Sequence, residues 1–148
     1  MRCIALLVLV ASATSLGAQQ APTATTTVPA KWDVMARRTA ARDLQFETSV
    51  GTWMSLDVSP DGRTIVFDLL GDIYSMPITG GAATLLLGGA AYEIQPRFSP
   101  DGRRIAIASD RDGLTNLWTM NLQGGDLRQV TKEREREVSN PAWTPDGQ

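Results

Sequence analysis

The tetrapeptide Ser59-Pro60-Asp61-Gly62 returns as Ser99-Pro100-Asp101-Gly102 and again as Thr144-Pro145-Asp146-Gly147, at spacings of 40 and 45 residues. A period of this size is the signature of one supersecondary unit used repeatedly, and it decides the fold class before any single residue does. Two further landmarks keep the same order. Asp72-Ile73-Tyr74-Ser75-Met76 corresponds to Asn116-Leu117-Trp118-Thr119-Met120, and Gly80-Gly81 corresponds to Gly124-Gly125, both displaced by 44 residues. The step from 40 to 44 places a four-residue insertion in the second repeat, near 110–115.

Each landmark has a mechanical meaning. Proline presets φ at the second position of a turn, and the glycine two residues later takes the left-handed conformation that closes a bulged hairpin. Before the first such turn Met54, Leu56 and Val58 alternate with Ser55 and Asp57, the period of a half-buried outer strand. After it, Ile65, Val66 and Phe67 form the denser apolar run of an inner strand. A third strand places Tyr74, Met76 and Ile78 on one face, matched by Trp118, Met120 and Leu122. The Gly-Gly pair then turns the chain into a fourth strand, 83–87 in the first repeat and 127–131 in the second.

Four short strands per repeat of about 40 to 45 residues describe the blade of a β-propeller. A sandwich also uses short strands, yet it has no reason to repeat its turns and aromatics at a fixed offset. The expected fold is therefore all-β: a partial propeller with four-stranded antiparallel blades at about 52–91 and 92–136 and the start of a third at 137–148. Trp53, Phe67, Tyr74, Phe98, Trp118 and Trp143 are expected to pack between blades, since large aromatics dominate such contacts. Propellers close with about 4 to 8 blades, so the remaining blades or a further domain are expected partners of this segment.

The amino terminus predicts export. Met1-Arg2 is a short positive region, 4–11 an apolar one, and small residues lead to a cleavage point after Ala18, which makes 1–18 a signal peptide. An anchoring helix would need about 20 apolar residues, so no membrane span is expected after cleavage. Residues 19–30 are a Thr/Ala/Pro leader too poor in apolar side chains to order itself, and 31–51 form a lead-in in which 35–44 suit a short basic helix. Cys3 leaves with the signal peptide, so no disulfide is available. Arg2 leaves too, and the mature chain carries 13 basic against 16 acidic residues, which speaks against a nucleic-acid partner. The expected location is periplasmic or secreted.

The run from Pro96 through Asp110-Arg111-Asp112-Gly113 to Asn116-Leu117-Trp118-Thr119-Met120 resembles the TolB-type, WD-repeat-like blade. The stretch Gly51-Thr52-Trp53-Met54-Ser55-Leu56-Asp57-Val58 with its turn, followed by 65–74, is similar to the amino-terminal propeller of secreted bacterial amidohydrolases, as is 31–34. That resemblance implies a binding or substrate-positioning propeller ahead of a metal-dependent barrel domain that hydrolyses C–N bonds. It implies a divalent metal only in that carboxy-terminal domain. The same blades imply two alternatives: a TolB-like scaffold for protein or peptide partners, or the gating propeller of a prolyl-oligopeptidase-type serine peptidase.

The chemistry inside the chain is sparse. It contains no histidine, the commonest general base and metal ligand, and no Gly-x-Ser-x-Gly elbow. No catalytic residue and no cofactor are therefore expected in this chain. Asp110 and Asp112, one residue apart on a glycine turn, are weak candidates for a calcium ion, because such a site wants further ligands and an Asp-rich turn needs none. The prolines, aspartates and glycines of the three turns, Pro60, Asp61, Gly62, Pro100, Asp101, Gly102, Pro145, Asp146 and Gly147, are read as structural. The run 132–137 alternates in sign and reads as a solvated connection.

Overall fold

The computed structural model describes residues 33–36 and 45–147. The expected signal peptide, the expected leader and most of the expected lead-in helix lie outside the described residues. The described chain forms eight strands in two four-stranded antiparallel sheets. The first sheet orders β1 (Leu56–Val58), β2 (Thr64–Leu69), β3 (Asp72–Pro77) and β4 (Thr84–Leu87) as they occur in sequence. The second repeats the meander with β5 (Glu93–Phe98), β6 (Arg104–Ser109), β7 (Asn116–Asn121) and β8 (Arg128–Gln129). Some expected strands shrink. Met54 lies outside β1, Ile78 lies outside β3, and β8 keeps two residues, although Val130 and Thr131 still donate backbone hydrogen bonds to the Leu117 carbonyl.

The register assigns each side chain to a face. Ile65 pairs with Met76, and Phe67 with Tyr74, whereas Val66 pairs with Ser75 and Asp68 with Ile73. The second sheet repeats this, with Ile105 opposite Met120 and Ile107 opposite Trp118. Directly opposed residues share a face, so the even and odd sets of β2 look in opposite directions. Val66 and Ile73 point at the second sheet and meet Phe98, Ile105, Ile107 and Met120, which together form the buried core. Leu86, Leu87, Trp118 and Leu127 pack around it. The core is thus the joint between two sheets packed face to face. Ile65, Phe67, Tyr74 and Met76, the counterparts of Ile105, Ile107, Trp118 and Met120, lie on the far face of the first sheet.

The insertion between repeats has a plain structural form. β2 and β3 are joined by Leu70 and Gly71 alone, both at positive φ (55° and 86°), the primed turn that fits the twist of a two-residue hairpin. Glycine is required there twice over, since a Cβ at Gly71 would lie 2.7 Å from the Tyr92 ring. β6 and β7 are joined instead by the loop 110–115.

Candidate functional site

The three Pro-Asp-Gly turns share one geometry. Ser59 Oγ donates to Asp61 Oδ1 at 2.6 Å, the Arg63 N–H donates to the same oxygen, and the Thr64 N–H donates to Ser59 Oγ at 2.9 Å. Ser99, Asp101, Arg103 and Arg104 repeat these bonds, and the Thr144 hydroxyl donates to Asp146 Oδ1. Gly62, Gly102 and Gly147 sit at φ of 70°, 65° and 80°. The hydroxyl and amide donors hold the Asp61 and Asp101 carboxyls below the usual carboxylate range, Ser59 and Ser99 being the larger cause in each. A cavity of about 350 Å³ opens between the first two turns, lined by Pro60, Thr64, Leu86, Phe98, Gly102 and Leu122.

The aromatic residues divide. Phe67 stacks on Tyr74 with ring centroids 5.8 Å apart, and Phe98 is buried in the core. Trp118 packs against the core from β7, and the Trp143 indole N–H donates to the Arg97 carbonyl at 3.0 Å, tying the opening of the third repeat to β5. Trp53 lies outside any strand at φ 59° and is 100% exposed, so among the described residues it meets no blade surface.

Asp110 and Asp112 are engaged by protein groups. Asp110 Oδ1 accepts the Tyr92 N–H at 2.8 Å, while Asp112 Oδ2 accepts from Gln129 and pairs with Arg134 at 3.2 Å. Among the described residues no group of three or more His, Cys, Asp or Glu side chains is placed to hold a metal ion. The calcium candidate therefore gains no further ligand.

Sequence reasoning missed two arrangements at the joint. The first is a set of side chains that satisfies amides of the outer strands. Asp68, buried near the end of β2, accepts the Ser55 N–H on Oδ1 at 3.0 Å and the Gln95 N–H on Oδ2 at 2.7 Å. Asp57 Oδ2 accepts the Phe98 N–H at 2.8 Å. β5 is bulged between Ile94 and Arg97, where Gln95 stands at φ 58°, and such a bulge leaves an amide that the ladder cannot satisfy. The next repeat places Asn140 at φ 57°, and there the Gln95 side chain does the same work, Oε1 accepting the Asn140 N–H and Nε2 donating to Asn140 Oδ1 at 3.0 Å.

The second arrangement lies where β5 begins and β6 ends. The Glu93 side chain is fully buried; one oxygen is clasped by Arg111, and the other has no hydrogen-bond partner among the described residues. The Arg111 guanidinium also lies 5.7 Å from the Trp118 ring centroid, a cation–π distance. Burial pushes the Glu93 carboxyl above its ordinary value, Arg111 works against that, and the Asp72 and Asp110 carboxylates reinforce it. An acid inside an otherwise apolar run marks Asp68 in the sequence, but nothing local marks Glu93.

A family model described as the TolB beta propeller domain matches residues 34–148. The chain is similar to YuxL, a peptidase of Bacillus subtilis, with 43% identity over 40% of this chain and 9% of that protein. It superposes on the structure of a TolB candidate from Agrobacterium tumefaciens with a TM-score of 0.51 and 31% identity, covering 56% of this chain and 32% of that one. It superposes on a puromycin hydrolase with a TM-score of 0.51 and 26% identity, over 65% of this chain and 16% of that one. The chain thus spans a third or less of the length of each. With two four-stranded sheets in repeat register and a family match over most of its length, the chain belongs to the TolB β-propeller family.

Proposed function

We propose that this segment is the binding and substrate-positioning propeller of an exported hydrolase whose chemistry resides in a domain outside these 148 residues. Within that reading the chemistry is metal-dependent cleavage of C–N bonds of the amidohydrolase type, and the divalent metal belongs to the outside domain. The observation that carries the proposal is a mismatch inside the chain. The joint is built with care, yet the sequence has no histidine, and among the described residues the buried carboxylates Asp68 and Glu93 are spent on the joint. The similarity to YuxL and to puromycin hydrolase supports the hydrolase context, since in both the matching segment is a small share of a larger protein. Residues 1–18 support export, and among the described residues no helix is long and apolar enough to cross a membrane.

The same two relatives favour a second reading, the gating propeller of a serine peptidase. The TolB-like structure favours a scaffold for protein or peptide partners. Reading the coding DNA past the Gln148 codon separates them. The expected result is further blades followed by His-x-His with later histidine and aspartate ligands. A Gly-x-Ser-x-Gly elbow there moves the assignment to the peptidase, and a stop soon after the last blade moves it to the scaffold. Either outcome overturns the amidohydrolase reading.

A further inference from the structure

The Glu93–Arg111 pair is placed where it can do more than hold the fold. Glu93 opens β5, and its backbone N–H donates to the Gly71 carbonyl of the first sheet at 2.8 Å, so it sits on the joint itself. Arg111 arrives from the loop 110–115, is only 15% exposed, and touches both Glu93 and the Trp118 ring. The charged groups facing Glu93 are Arg111 and Asp110 from this loop and Asp72 from the start of β3. Asp72 accepts the Gly89 N–H and Asp110 the Tyr92 N–H, so both carboxylates belong to the same loop cluster.

We propose that Glu93 and Arg111 form a proton-operated latch: ionised Glu93 clamps the loop 110–115 to the joint beside the Asp110–Tyr92 and Asp112–Arg134 contacts, and protonated Glu93 releases Arg111 and leaves the loop to those contacts alone. The clasp rests on one carboxylate oxygen, and the other oxygen is buried without a partner among the described residues, so within them Arg111 is the cation that compensates the ionised form. Protonation removes the charge that Arg111 answers, while the guanidinium at the rim is free to move into water.

The sign follows from two comparisons. Against the unfolded chain, burial raises the Glu93 carboxyl, so its contribution to stability is fullest below the ordinary glutamate range and falls as pH rises through the raised value. Against the unlatched but folded state, where Glu93 stays buried without Arg111, the latched state holds the proton less tightly. Acid therefore opens the latch without unfolding the blade. This inference stands apart from the choice between hydrolase, peptidase and scaffold, because every group it uses lies within the described joint.

The test is 19F NMR of the full-length gene product labelled with 5-fluorotryptophan, with the Trp118 resonance assigned through Trp118→Phe. Between about pH 8 and about pH 4 the Trp118 signal is expected to move through a one-proton transition centred above the ordinary glutamate value of about 4.3. Glu93→Gln and Arg111→Gln should each fix the signal near its acid position at every pH. Should these variants fold poorly, hydrogen exchange on the wild type reads the same event. Exchange of amides 111–115, corrected for intrinsic rate, should speed up by about tenfold per pH unit on acidification through that window while β2, β6 and β7 stay protected. A Trp118 signal flat across the range, a transition that persists in Glu93→Gln, or exchange unchanged in 111–115 would overturn the latch.

Discussion

Replacing Asp68 by alanine is expected to lower the stability of the full-length protein by about 2 to 5 kcal/mol, because two backbone N–H groups lose their acceptor at once and each buried orphan donor costs about 1 to 3 kcal/mol. The groups are those of Ser55 and Gln95, equivalent positions of consecutive repeats, so one carboxylate satisfies an amide at the outer-strand side of each sheet. Asp68→Asn keeps a single acceptor and should recover about half of the loss. The measurement is the midpoint of urea unfolding at unchanged slope. The second repeat supplies the control. The counterpart of Asp68 is Ala108, and the Asn140 amide is met by the Gln95 side chain instead, so Gln95→Ala should loosen the third repeat and leave the first joint nearly intact. If Asp68→Ala proves as mild as a surface substitution, the Ser55 and Gln95 amides are not held as described.

Ile105→Ala and Ile65→Ala are expected to cost alike in the full-length protein, about 2 to 5 kcal/mol each, the range for truncating a buried Ile or Leu. In the present structure they differ. Ile105 is buried in the joint, whereas Ile65 lies on the far face of the first sheet, where Leu56, Val58 and Leu85 are exposed. The register gives them the same place, Ile65 opposite Met76 and Ile105 opposite Met120. A closed propeller covers that face of every blade with its neighbour, so the two positions become equivalent. Thermal or urea melts of both variants decide the matter. A cost at Ile65 several-fold below that at Ile105 would mean that no blade covers the far face.

Much of this fold is legible in the sequence because a repeat reports on itself. The Ser-Pro-Asp-Gly turns, the Gly-Gly pairs and the aromatic-x-Met strands occur in register, and the six residues of the loop 110–115 against Leu70-Gly71 account for the four-residue offset. Strand ends were less legible. Met54 fits the alternation of its neighbours but lies beyond β1, and Ile78 lies beyond β3 although its N–H still donates to the Arg63 carbonyl, so periodicity does not fix a strand's last residue. Trp53 shows a different limit. Its size argues for burial, whereas it stands exposed at a left-handed backbone position, and no local pattern announces that conformation.

The candidate site was mostly hidden for a physical reason. Asp68 acts on amides 13 and 27 residues away, and Arg111 reaches Glu93 across 18, so the chemistry of the joint exists only after the sheets pack. Asp110 and Asp112, which the sequence does display as a pair, spend their carboxylates on Tyr92, Gln129 and Arg134. A carboxylate pair on a turn is as useful for tying loops as for holding an ion, and spacing alone does not distinguish the two uses.

The proposal that the propeller serves chemistry it does not contain is tested most directly by activity. The full-length gene product, purified from the exported fraction, is assayed on amide and cyclic-amide substrates with and without a divalent-metal chelator and with and without a fluorophosphonate. The predicted result is hydrolysis that chelation abolishes, that added divalent metal restores and that the fluorophosphonate leaves untouched. Hydrolysis indifferent to chelation but abolished by the fluorophosphonate, or no hydrolysis of any amide, would contradict it.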